Sequence, residues 1–337
     1  MTKREIIKLV LDGGRPPYVP WSFKFTEEPK KMLQDYYRVT DLDIPLGNHI
    51  LNLGDDYGFF DLVGPDLWRD VFGVVWDKSI DKDIGNIKGC VLPEPTLTGY
   101  QFPDPHDPRI FKCMDSELSA KPDLFRVFQL GFSLYERAWT LRGIENLLMD
   151  FYLHPAFVHQ LFDAIYDYNI AQIDKALEWD IDAIYFGDDW GQQKGLIMGP
   201  SLWREFIKPR IARMYGAVKS KGKFVIQHSC GDVSAIFPDL IEIGLDCYQT
   251  FQPEIYDIRA VKKEFGQDLS FWGGISTQRL LPFATPGEVK DKTIEIMRIM
   301  GAGGGYIAAP THSIPGDVPP ENVEAMLDVF QNQEKYL

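Results

Sequence analysis

The sequence predicts an α/β fold, a (β/α)8 barrel of the TIM type with irregular N-terminal excursions. Three observations point to it. From about residue 124 onward, short apolar runs alternate with amphipathic stretches of helical period. The runs are near-continuously apolar, as strands are when helices cover both faces of a parallel sheet. At least six strand–helix units follow one another without interruption, which favours a closed barrel over an open doubly wound sheet. No Gly-x-Gly-x-x-Gly follows a strand, so the dinucleotide fingerprint of the open alternative is missing.

Each element has its own warrant. LFRVFQLG (124–131) reads as the first buried strand of the regular region. Residues of about 133–150 and 155–178 read as helices, the second amphipathic. AIYFGDD (183–189) is a strand. SLWREFIKPRIARMYGAVKSKG (201–222) is a helix with a serine start and a glycine stop. Strand KFVIQHSC, helix VSAIFPDLIEIG, strand CYQTF, helix IRAVKKEFG, strand LSFWGGI, helix PGEVKDKTIEIMRIMG, strand YIAAP and helix PPENVEAMLDVFQ complete the series. GAGGGY (301–306) precedes a strand instead of joining a strand to a helix, so it reads as a turn. The first third, with RPPYVPWSF and LPEPTLTGYQFPDPHDPR, is rich in Pro, Asp and Gly and predicts long loops and a hairpin excursion.

The totals bound the function. A chain of 337 residues suits two ordinary domains or one large barrel, and we expect a single domain over 1–337. The net charge of −14 repels polyphosphate, which argues against nucleic-acid partners. MTKREIIKLVLDGG reads as a short amphipathic helix, not a signal peptide, and no apolar run is long enough to span a membrane. The four cysteines, Cys90, Cys113, Cys230 and Cys247, show no Cys-x-x-Cys spacing, so a reducing cytoplasm is the expected setting.

The strand ends carry the polar chemistry. Asp188 and Asp189 close one strand, His228-Ser229-Cys230 the next, Gln252-Pro-Glu254 follows a third, Trp272 lies in a fourth, and Thr311-His312 follows the last. In a barrel these ends share the face where active sites form. His228 and Cys230, two apart on an extended chain, point to one side. The sharper reading of the pair is a zinc site, since zinc takes imidazole and thiolate together and a catalytic site uses three protein ligands. His312 is the best third ligand by position, with Glu254 and Asp189 as alternatives. The blander reading is a satisfied histidine beside a small buried thiol. Of the aspartates, alternation aims one inward, as a general base or a binder of a substrate hydroxyl, and leaves helix capping as the competing role. Gln192 and Gln193 follow in the loop. Cys247 begins its strand and reads as core. His49, His106, His154 and His159 read as structural. Trp21, Phe23, Phe25, Tyr57, Phe59 and Phe60 either pack a core or wall a pocket for a flat ligand.

With HSCGD and the closing GGGYIAAPTHSIPGDVPPENVEAM, the chain resembles the uroporphyrinogen decarboxylase superfamily. RPPYVP, GPSLWREFIKPRIARM and FWGGISTQRLLPFATPGEV agree with it, while the stretch from about 40 to 120 is looser. The resemblance implies a (β/α)8 barrel, usually a homodimer, that is either a decarboxylase or a zinc-dependent methyltransferase working with a corrinoid protein. The arginine-rich segment that grips porphyrin carboxylates in the decarboxylases reads WSFKFTEEPKKML here, with Lys24 and no arginine. The methyltransferase branch uses His-x-Cys and a later Cys as zinc ligands. His228 and Cys230 match the first two, and the later position falls at His312.

We therefore expect a zinc enzyme that demethylates a methoxylated aromatic or another small methyl donor and passes the methyl to cobalt on a separate corrinoid protein. In it His228, Cys230 and His312 bind the metal, and Asp188, Asp189 and Glu254 act in catalysis. Gln193, Gln252, Trp272 and Phe23 hold the substrate. The alternatives are a methylcobamide:thiol methyltransferase, a metal-free decarboxylase-like lyase using His312 and an aspartate, and a non-catalytic binding protein.

Overall fold

The structure, a computed structural model, describes residues 1–55 and 59–336. Tyr57, counted above among the aromatics of the first loops, lies outside the described residues. Seven strands alternate with helices among the described residues: β1 (Ile50–Asp55), β2 (Phe125–Leu130), β3 (Ala183–Gly187), β4 (Phe224–His228), β5 (Cys247–Phe251), β6 (Ser270–Ile275) and β7 (Tyr306–Pro310). The helices that matter below are α1 (Tyr135–Arg142), α2 (Pro155–Ala176), α3 (Lys208–Ser220) and α4 (Pro286–Met300). The chain forms two compact units, each assembled from separate segments.

One unit comprises Met1–Leu51, Lys121–Arg126 and Asp246–Leu337. In it β5, β6 and β7 pair in parallel, Tyr248 opposite Phe271 and Phe271 opposite Tyr306. The segment around Trp21 lies parallel to β7: the Ala308 N–H donates to the Pro20 carbonyl at 2.8 Å and the Ser22 N–H to the Ala308 carbonyl at 3.3 Å. Proline at 16, 17 and 20 limits this segment to isolated bridges, because proline cannot donate to a ladder. The His49 N–H bonds the Trp21 carbonyl and the Phe125 N–H the His49 carbonyl, which extends the pairing to the starts of β1 and β2. The alternation expected of a (β/α)8 fold is thus present, with the Trp21 segment in the place of an eighth strand. The Gly303–Gly305 turn before β7 has three successive positive φ angles, +81°, +95° and +65°, which only glycine adopts without strain.

The other unit comprises Asn52–Ala120 and Val127–Leu245. Here β2, β3 and β4 pair in parallel, with Val127 and Phe224 both opposite Ala183. Helix α2 buries Val158, Leu161, Phe162, Ile165, Tyr166 and Asn169, the three- and four-residue spacing of one helical face. The expected excursion is a four-stranded antiparallel sheet built from Asp61–Gly64, Leu67–Arg69, Val75–Asp77 and Asn86–Lys88.

Three expectations change in detail. The helix of about 133–150 breaks at Gly143, whose φ of +84° is outside the helical range, into α1 and a second helix, Ile144–Leu153. The helix of 201–222 contains a π-helical turn, Trp203–Ile207, just before α3; Pro209 has no N–H to donate to the Glu205 carbonyl, and the wider turn absorbs that loss. The helix of 233–244 shortens to Phe237–Glu242, with Pro238 in its first turn. No helix among the described residues is long and apolar enough to cross a membrane.

Candidate metal centre

The ends of β3 and β4 build the centre, and register places them. His228 lies opposite Gly187, so the residues after each strand leave the sheet side by side. Three hydrogen bonds join the two loops: Trp190 N–H to Ser229 Oγ at 2.9 Å, Cys230 N–H to Asp189 Oδ1 at 2.7 Å, and Asp232 N–H to the Gln192 carbonyl at 2.8 Å. Gly191 and Gly231 let the backbones touch. A Cβ on Gly231, whose φ is +77°, would overlap the Gly191 and Gln192 main chain.

This brings Asp189, His228 and Cys230 together, with one ligand atom of each within 4.8 Å of the others. His228 Nε2 stands 3.6 Å from Cys230 Sγ and 3.3 Å from Asp189 Oδ1. Bonds of about 2.0–2.3 Å at a tetrahedral angle put neighbouring zinc ligands about 3.3–3.6 Å apart. The two spacings match two edges of such a tetrahedron, and each is also the length of a direct contact between the side chains. The donor set of imidazole, thiol and carboxylate is one that zinc accepts.

Charges interlock here. Burial pushes the Asp189 carboxyl up, but the His228 hydrogen bond and charge, with the Cys230 N–H, bring it down to about 2. Burial pulls the His228 imidazole down, and the Cys230 sulfur and Asp189 carboxylate more than reverse this, holding it well above the usual histidine range. Burial raises the Cys230 thiol, which His228 only partly offsets.

Asp188 turns the other way. It is fully buried, and its two oxygens accept from the N–H groups of Leu134 (3.3 Å), Tyr135 (2.9 Å) and Glu136 (2.8 Å) and from Trp190 Nε1 (2.6 Å). The carboxylate caps the N-terminus of α1 from a strand end more than fifty residues away in sequence. Of the two roles read for this aspartate, it fills capping. Burial pushes its carboxyl up to about 6 against the pull of the donors.

Glu136, in the first turn of α1, was not singled out from the sequence. Burial first, then the charges of Asp189 and Asp188, raise its carboxyl well above the usual range, and the Asp189 backbone N–H donates to it. The strand-end rule applied to β2 would have drawn attention to it. Tyr185 was also missed; its ring lies 6.0 Å from that of His228.

The remaining expected residues are spread across the two units. Gln193 is exposed in the short hairpin of Gly191–Gln192 and Gly195–Leu196. Gln252, Glu254, Trp272, His312 and Phe23 belong to the other unit. There Phe23 packs edge-to-face on Phe25 and Phe330, Trp272 donates to the Ser22 carbonyl at 2.9 Å, and Gln252 is buried. Both Glu254 carboxylate oxygens are buried without a hydrogen-bond partner among the described residues. His312 is exposed after β7. Cys247 is buried, and His49 is a satisfied core histidine between the Tyr18 hydroxyl and the Trp21 carbonyl, both at 2.9 Å.

Comparison with known proteins agrees with this architecture. A uroporphyrinogen decarboxylase from Chlorobaculum tepidum is 26% identical over 82% of this chain and 82% of its own length. A methylated-thiol–coenzyme M methyltransferase from Methanosarcina mazei is 22% identical over 74% of this chain and 69% of its own. A solved methyltransferase from Methanosarcina mazei superposes with a TM-score of 0.75 over 99% of both chains at 16% identity, so the fold is shared. The family model for uroporphyrinogen decarboxylase (URO-D) matches residues 133–333, the span that contains α1, both loops of the centre and β5 to β7. On that match, the chain belongs to the URO-D family.

Proposed function

We propose that the protein is a zinc-dependent methyltransferase of the URO-D family that demethylates a methoxylated aromatic in concert with a separate corrinoid protein. What supports the metal is the Asp189–His228–Cys230 cluster, two of whose edges, 3.6 and 3.3 Å, fit a tetrahedral cation. His228 and Cys230 would hold zinc, with Asp189 as the third protein ligand and the fourth position open to substrate. Bound there, zinc supplies a Lewis acid for the oxygen that gives up the methyl group. The chain's own part is to orient these ligands. The Cys230 N–H fixes the Asp189 carboxylate, Glu136 receives the Asp189 N–H, and Asp188 anchors the helix that carries Glu136. The methyl acceptor arrives on a partner protein.

Zinc content of the wild type, Cys230→Ala, Asp189→Ala and His312→Ala tests the reading. About one zinc per chain is expected in the wild type and in His312→Ala, and loss in the other two. Loss in His312→Ala with retention in Asp189→Ala would transfer the third position to His312. Demethylation of methoxyaromatics by the wild type with cobalt(I) corrinoid, absent in Cys230→Ala, tests the reaction. Activity toward thiol acceptors alone would instead identify a methylcobamide:thiol methyltransferase. A second reading, a metal-free lyase, draws on the likeness to a decarboxylase. Full turnover of a small carboxylate by zinc-free protein would favour it.

A further inference from the structure

A cavity of about 400 Å³ opens within the second unit, away from the residues assigned above. Phe59, Phe72, Phe132 and Tyr168 wall it, and Phe72 meets Tyr168 edge-to-face at 4.9 Å. Arg137 lines it with a side chain only 3% exposed. Its guanidinium lies over the ring of Phe72 at 3.9 Å and that of Phe132 at 5.2 Å. One nitrogen, Nη1, donates to Asp70 Oδ2 at 2.8 Å and to Thr140 Oγ1 at 3.5 Å. Among the described residues Nε and Nη2 have no hydrogen-bond partner. Asp70 has no oxygen to spare, since it also accepts from Phe72 N–H, Val74 N–H and Trp76 Nε1. The buried pair is thus neutral while its arginine keeps donors for a guest.

We propose that this cavity binds a neutral single-ring aromatic bearing oxygen substituents, with an oxygen accepting from Arg137 and the ring among Phe59, Phe132 and Tyr168. The free donors suit an oxygen acceptor, and the walls suit a flat ring. Charge argues against an anion, because three arginines and four aspartates line the space. The cavity and the metal centre share one short segment. Glu136 faces Asp189, and the next residue, Arg137, faces the cavity. Phe132, in the cavity wall, holds a left-handed φ of 50°, which an aromatic residue adopts only under constraint. The proposal rests on the methoxyaromatic reading only in the choice of ring substituent; binding itself requires neither zinc nor corrinoid.

Calorimetric titration with 2-methoxyphenol tests it, with 2-methoxycyclohexanol, toluene and benzoate as comparisons. One-to-one binding to the wild type is expected, at least about tenfold tighter than any comparison ligand, a difference of about 1.4 kcal/mol. The double variant Asp70→Asn with Arg137→Gln removes both charges together, and Tyr168→Ala removes a wall without touching the ion pair. Both should weaken binding at least tenfold, while Cys230→Ser binds as the wild type does. No binding to the wild type, undiminished binding to both variants, or tighter binding of benzoate would overturn the proposal. If Cys230→Ser also loses methyl transfer, site and reaction both stand. If no variant or wild type demethylates yet the binding pattern holds, the demethylase reading falls alone.

Discussion

Replacing Asp188 with Asn tests the capping carboxylate apart from its neighbour Asp189. The amide keeps one oxygen and turns an NH2 toward the donors that faced the other. Either orientation strips two of four buried N–H groups of an acceptor, because each carboxylate oxygen serves two of them. An unsatisfied buried donor costs about 1–3 kcal/mol. The neutral side chain recovers part of the burial penalty that lifts this carboxyl to about 6. A net loss of about 2–4 kcal/mol follows. With about 2.1 cal/mol/K of unfolding entropy per residue, 337 residues give about 0.7 kcal/mol/K, so the melting temperature should fall by about 3–6 °C. Calorimetry on zinc-loaded wild type and variant measures it, and metal analysis should find the zinc retained. A variant as stable as the wild type, or one that keeps its stability but loses zinc, would refute the capping role.

Other perturbations probe the neighbouring geometry. Gly231→Ala forces a side chain into the Gly191–Gln192 main chain at a positive φ, and should lower zinc occupancy more than tenfold, read by competition with a chelator. Zinc affinity should rise with pH, by about tenfold per unit for each proton displaced, because His228 and Cys230 both hold their protons tightly and must release them to bind metal; affinity flat between about pH 6 and 8 would contradict this. Arg137→Ala alone leaves Asp70 buried and unpaired and should cost about 3–5 kcal/mol in denaturant unfolding, with much of the loss recovered when Asp70→Asn is added.

Much of this molecule is written locally. Apolar runs alternating with amphipathic ones determine the strands and helices from residue 124 onward, because burial of one face imposes its period on the chain. The His228–Cys230 pair was equally legible, since two residues apart on a strand end share a side. Tertiary structure alone decided the rest. Alternation could say that Asp188 and Asp189 diverge, but that Asp188 caps a helix depends on where α1 docks, and α1 starts some fifty residues earlier. Glu136 follows the end of β2 by six residues, a place the strand-end rule marks, but its environment comes from that same docking. Asp189 as a partner for His228, and the Gly191–Gly231 approach that lets the two loops close, follow from the β3–β4 register. Hydrophobic period is a property of consecutive residues. A metal centre is a matter of ångströms between side chains on separate strands, and those distances exist only once the sheet has set its register.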